Sequence, residues 1–196
     1  MARAKDTKTG MRLSYSQVVP QIPYRVAMGL RSMMARGRTR YGIDGMNVCS
    51  DGFTVTDGKR LLHITENHRV PPGTYKIGRD GWLCGPLDLG SFPEWRSVLL
   101  PRKKQRVIWE GDIQDPSDTA AAIWAISRTA DTAMYLEIWF SAVKAIRALR
   151  AGRVTIACEK GKKKDSLIQI MGDMGDQRGT SFTYIQMPIA IDRKEK

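Results

Sequence analysis

Histidine is almost missing: His63 and His68 are the only two among 196 residues. No thiol or carboxylate pattern stands near them at ligand spacing, so neither a metal site nor a cofactor is expected. Cysteine is nearly as sparse. Cys49, Cys84 and Cys158 are widely separated with no C-x-x-C pair, which reads as reduced, small hydrophobic side chains rather than a disulfide framework. No apolar run approaches the roughly 18–20 residues that span a bilayer, so no membrane partner is expected. Met1 to Arg12 is basic but lacks the apolar stretch of a signal peptide, and the chain is expected to stay in the cytoplasm. There is no nucleophile–histidine pair and no phosphate-binding loop. The nearest approach to a carboxylate cluster, Asp173 and Asp176, lies in a Gly-rich stretch that reads as a turn. No catalytic residue is therefore assigned, and an enzyme is not expected. Acidic charge is the last deficit: 20 Asp and Glu face 32 Lys and Arg, a formal +12. A globular chain of that balance usually meets a polyanion, most often DNA or RNA.

Apolar residues make up 42% of the chain, enough for an ordinary core. Leu13 to Val19 alternates like a short strand, and Tyr24 to about Arg36 turns helical, closed by Gly37. Met46–Cys49, Phe53–Ile64, Tyr75–Ile77 and Trp82–Cys84 read as strands separated by Asp-Gly turns. A Pro-containing connector, 85–106, ends in the charge run Arg102-Lys103-Lys104-Gln105-Arg106. Beyond it, Val107–Ile113 reads as a strand. Asp115-Pro116 starts a helix to Ala130, and Tyr135–Phe140 suits a buried strand. Ser141 caps a helix to Arg150, and strands follow at Val154–Cys158, Leu167–Met171 and Ser181–Ile191. The expected class is α+β, with about three helices and antiparallel strands. The expected domains are a basic tail 1–12, a first unit 13–101, a second unit 102–191 and a charged tail 192–196. No exact internal repeat is visible.

Basic residues recur on the helices. Arg25, Arg31 and Arg36 lie off the apolar positions of the first, with Arg38 and Arg40 just beyond it. On the last, Lys144, Arg147 and Arg150 recur every three residues beside the apolar stripe Val143, Ile146 and Leu149, and Arg153 follows. One such face is ordinarily solvated. Two on a chain of this charge point to phosphate contact, the sequence-independent part of nucleic-acid binding. The tryptophans at 82, 95, 109, 124 and 139 read mostly as core, and no aromatic platform for RNA stands out.

Three motifs give the pattern a family likeness. Phe53-Thr54-Val55-Thr56-Asp57-Gly58-Lys59-Arg60-Leu61 resembles the ATDGHRL strand-and-turn segment of bacterial sliding clamps, the beta subunit of the replicative DNA polymerase. Phe92-Pro93-Glu94-Trp95-Arg96-Ser97-Val98-Leu99-Leu100-Pro101 is similar to the FPDY-x-x-V-L-P connector of those clamps, with one extra residue before the last proline. Tyr184-Ile185-Gln186-Met187-Pro188-Ile189-Ala190-Ile191 is similar to their terminal V-M-P-M-R-L strand. Departures accompany the likeness. The chain is roughly half as long as a clamp, Lys59 stands where the family usually has histidine, and the terminal strand continues into five further residues.

The resemblance implies a DNA-clamp-like α+β fold, with antiparallel sheets outside and basic helices lining one face towards double-stranded DNA. It implies an apolar pocket for the peptide tails of DNA polymerase and other clamp-binding proteins, mapped here onto Thr56, Gly58, Lys59, Arg60, Leu61, Pro101, Met187, Pro188 and Ile189. It also implies a homo-oligomeric ring. Clamps share twelve inner helices, so about three per chain favours a tetramer over a trimer. So compact a member would suit a phage or plasmid. An open, non-ring DNA-binding protein and an adaptor using the peptide pocket alone are the alternatives.

Overall fold

Two-residue alternation marks the strands of this chain, and it sorts their side chains onto the two faces of a single sheet. The computed structural model describes residues 22–35, 43–78, 80–88, 91–129, 136–161, 166–174 and 179–187. Helix α1 (Tyr24–Met33) starts directly after Pro23, and three strands follow as a meander: β1 (Met46–Cys49), β2 (Gly52–Thr56) and β3 (Arg60–Thr65). The turn into β2 requires glycine. Gly52 has φ 151°, and a Cβ there would sit 2.0 Å from the Ile64 carbonyl oxygen. Strands β4 (Gly73–Ile77) and β5 (Leu83–Leu87) complete the first half. After two short 3-10 turns, Trp95–Val98 and Arg102–Lys104, come β6 (Gln105–Asp112), α2 (Pro116–Thr129) and α3 (Leu136–Ala148). A second meander closes the described chain: β7 (Arg153–Glu159), β8 (Ile168–Asp173) and β9 (Ser181–Gln186).

The nine strands of the described residues form one antiparallel sheet in the order β5-β4-β1-β2-β3-β9-β8-β7-β6. Its centre is the β3–β9 pair, from Arg60 opposite Gln186 to Thr65 opposite Ser181. About this pair the halves mirror one another in order. Each has a helix followed by a three-stranded meander, α1-β1-β2-β3 against α3-β7-β8-β9, with β4 and β6 flanking β1 and β7. The two helices pack together, Gly29 of α1 against Leu149 just past α3. The segments on either side of residue 101 thus share one sheet.

They also share one core. Phe53, Val55, Leu62, Ile64, Ile156, Ile170, Phe182 and Tyr184 point to the helix side, where they meet Val26, Leu30, Met33, Ile126, Trp139 and Ile146. The alternate residues, among them Thr54, Leu61, His63 and Ile185, point to the opposite, outer face, partly roofed by the 91–104 connector.

Several sequence expectations change. The run expected as a strand at Tyr135–Phe140 is helical where it is described: residues 136–140 begin α3, and Ser141 lies inside the helix rather than capping it. Trp139, Ala142, Val143, Ile146 and Leu149 are all buried and form one helical stripe. A short apolar run carries too few residues to tell that period from a strand's. The run 53–64 is two strands, broken at Asp57-Gly58-Lys59. Strand β6 begins at Gln105, inside the charge run, and Ile113 falls in the turn after it. Helix α2 follows the expected start, with the Asp115 carboxylate accepting from the Ser117 backbone N–H at 2.7 Å. Not all tryptophans are core: Trp95 and Trp139 are buried, Trp109 is half-buried, and Trp82 and Trp124 are exposed. The expected strand at 13–19, both tails and part of the terminal strand lie outside the described residues.

Candidate peptide pocket and nucleic-acid face

On the outer face, the turn between β2 and β3 is fixed by its own side chains. Asp57 accepts from the backbone N–H groups of Lys59 and Arg60, both at 2.9 Å, and from Arg60 Nε at 2.8 Å. The Thr56 hydroxyl donates to the Arg60 carbonyl at 2.6 Å and accepts the Gly58 N–H at 3.0 Å. Gly58 takes φ 86°, which suits glycine. The Lys59 carbonyl then accepts the Met187 N–H at 2.9 Å, which ties the end of β9 to this turn.

Beside the turn, Leu61 and Ile185 are register partners, and Trp95 packs on them. Val98, Leu99, Leu167 and Met187, all half-buried, border this cluster. The structure therefore places Thr56, Gly58, Lys59, Arg60, Leu61 and Met187 in or beside one small apolar cluster, of which Leu61, Trp95 and Ile185 are buried. Arg60 holds Asp57, so its cationic group is anchored at the rim. Pro101 is exposed. It follows Leu100, whose N–H donates to Gln169 Oε1 at 3.0 Å, and Gln169 is the strand neighbour of Ile185. Pro188 and Ile189 lie outside the described residues. Sequence reading missed Trp95, Val98, Leu99, Leu167 and Ile185 as lining. Strand alternation could have found Ile185, since it shares Leu61's face.

The connector is pinned by a second cluster. His63 stacks on Trp95 with ring centroids 3.8 Å apart, and its Nδ1 lies 2.8 Å from Thr54 Oγ1. Arg96 forms an ion pair with Asp51 and lies over the Trp95 ring at 4.7 Å. Burial pushes the His63 pKa down to about 4, with Arg96 lowering it further and Asp51 opposing. Because the folded pKa lies below the ordinary value, His63 favours folding fully above pH 6.5, and that contribution is lost as pH falls from there towards 4. The expected loss by pH 4 is at most about 3 kcal/mol. Thermal melts between pH 7.5 and 4.5 check it: His63→Gln will flatten the pH dependence, and an unchanged slope would remove His63 as its cause.

The helices carry some of the basic residues. Lys144 and Arg147 are exposed on α3, and Arg147 also donates to the Gln114 carbonyl at 2.8 Å. Arg150 is exposed just after the helix, at φ 55°. On α1, Arg25 and Arg31 are half-buried. Arg153 does not join them. Its β7 neighbours Val154 and Ile156 face the helices, so Arg153 points to the outer face, where it pairs with Glu110 at 3.3 Å. Arg36, Arg38 and Arg40 lie outside the described residues. Arg128 on α2, absent from the sequence-based set, stacks over Trp124 at 4.9 Å. No helix among the described residues is long and apolar enough to cross a membrane.

No family model matches the chain, and no curated protein does. Solved structures do. The crystal structure of the DNA polymerase sliding clamp from Pseudomonas aeruginosa with ligand superposes with a TM-score of 0.52 at 16% identity, covering 86% of this chain and 63% of the clamp chain. A second crystal structure of that sliding clamp gives a TM-score of 0.50 at 15% identity, covering 86% of this chain and 64% of the other. The chain therefore has a sliding-clamp-like α+β fold, and its match spans a little under two thirds of the clamp's length.

Proposed function

We propose that this chain is a divergent member of the sliding-clamp family, a processivity factor for DNA replication rather than an enzyme. In this reading it closes into a homo-oligomeric ring around double-stranded DNA and holds partner peptides, a DNA polymerase's among them, on the Leu61–Met187 patch. One observation carries the reading: a single antiparallel sheet has basic helices on one side and, on the other, an apolar patch framed by the Thr56–Leu61 turn and the end of β9. These two faces separate the two tasks. The helices meet phosphates, and the outer face stays open to partners. Such phosphate contacts are individually weak, read no sequence and fade with salt, which suits a ring that must slide.

Ring closure has a physical route in the sheet's two ends. Among the described residues, β5 and β6 each pair on one side only. Unpaired strand edges join copies readily, and β6 of one chain against β5 of the next is a head-to-tail contact that repeats until a ring closes. The helix count bears on ring size. Twelve inner helices drawn from α1, α2 and α3 need four chains, whereas twelve drawn from the packed α1–α3 pair alone need six.

Light scattering tests the assembly. The expected result is one discrete species at a small multiple of the 22.0 kDa chain, four copies if all three helices face the hole. A monomer across micromolar concentrations would sink the ring and leave an open DNA-binding protein or an adaptor.

A further inference from the structure

Among the described residues, three rings stand out into solvent from the helices. Tyr24 on α1 is 62% exposed, Trp124 on α2 61% and Phe140 on α3 62%. Burying rings of this size is a large part of what folding gains, and α3 does bury its other large ring: Trp139, the residue before Phe140, is 2% exposed. Each exposed ring also has a cation on its own helix. Arg128 follows Trp124 by one turn and lies over its ring at 4.9 Å. Lys144 follows Phe140 by one turn, and Arg31 follows Tyr24 by two, positions that share a helix face. Residues from all three helices enter the one core on this side of the sheet, so the helices that carry these rings cover the same face of it.

Duplex DNA offers such rings little, because its bases are already stacked and only its backbone faces outwards. A single strand offers both parts of the pattern, an open π-face from each base and a phosphate between bases. Stacking platforms interleaved with cations are the chemistry that binds it without regard to sequence.

We propose that the helix side binds single-stranded DNA, with bases stacking on Trp124, Phe140 and Tyr24 and phosphates held by Arg128, Lys144 and Arg31. This goes beyond the clamp reading, which asks only for phosphate contacts to a duplex and stands or falls on ring topology. The strand's charge complements these faces, whereas a second copy of the same cationic faces would be repelled at short range.

The test uses the full chain with a labelled oligothymidine and a duplex of equal length, compared by fluorescence anisotropy. Salt is set near 0.3 M, where the screening length falls to roughly 6 Å and exposed phosphate contacts weaken. Phe140→Ala and Trp124→Ala each remove a ring and keep every charge. Each is expected to weaken oligothymidine binding roughly tenfold or more while leaving duplex binding within about twofold. The intrinsic fluorescence of the unaltered chain is expected to be quenched by oligothymidine, and that of Trp124→Phe much less so. Three results would overturn the proposal: equal losses on both DNAs, no loss on either, or a change of oligomeric mass in Phe140→Ala, which would make these faces contacts between copies. Because the ring is tested separately by the light-scattering mass of the unaltered chain, failure here and failure of the ring are distinguishable.

Discussion

Reversing two charges on α3, Lys144→Glu together with Arg147→Glu, will lower affinity for duplex DNA roughly ten- to hundredfold near physiological salt. The same pair will flatten the dependence of log affinity on log salt by about two, since each lost phosphate contact removes close to one unit of slope. Both side chains are exposed on the outward stripe of α3, while Val143 and Ile146 beside them are buried. Arg147 also donates to the Gln114 carbonyl, so Lys144→Glu alone separates charge from that anchor; it should lose about half the slope change. Arg153→Glu is the matched control. It makes the same change of charge on the outer face, beside Glu110, and is expected to alter DNA affinity by less than about threefold, given screening over roughly 8–10 Å. Titration at several salt concentrations decides it. Equal losses for Arg153→Glu and Lys144→Glu, which change the charge by the same amount, would mean that net charge, not the helix face, carries binding.

Gly29→Val will destabilise the chain by about 1–3 kcal/mol, a drop of several degrees in melting temperature for a chain of this length. A Cβ at Gly29 would already lie 3.0 Å from Leu149 Cδ2 and 3.5 Å from the Ala145 carbonyl oxygen. Valine adds two methyl groups to that contact, and Leu149 is fully buried, so either it leaves its site or α1 and α3 separate. Gly29→Ala is the informative companion. It takes the tight contact but gains roughly 0.8–1 kcal/mol of helix propensity, so its net effect should be small. A valine variant as stable as the original would show that the helices do not meet at Gly29. Since those helices carry Arg31 and Lys144, the valine variant should also bind DNA less tightly.

Much of this architecture was legible because its signals are local. Asp57-Gly58 needs a turn, Asp115-Pro116 needs a helix start, and alternation marks the strands around them. The TDG turn, the connector and the Met187 strand pointed to one patch, and the structure joins the turn and the strand through the Lys59–Met187 hydrogen bond. What stayed hidden depends on partners distant in sequence. The β3–β9 pairing joins residues about 120 apart and has no local sign. The ordered likeness of the halves is one of topology, carried by no shared sequence. Phe140 was misassigned because it sits in an apolar run beside Trp139, and only the packing of α3 decides which ring turns inwards. Arg153 continued an arithmetic series with Lys144, Arg147 and Arg150, but the chain leaves the helix before it. Strand geometry then sends it to the other face.

The central claim is topological, and retention on DNA circles tests it most directly. The protein is bound to closed circular duplex, moved into salt high enough to release open binders, and then the circle is cut at one site. The ring account predicts that the protein stays on the intact circle and leaves once a free end exists. Equal release from circle and linear DNA would contradict it, leaving a basic DNA-binding protein with a clamp's fold but not its closure.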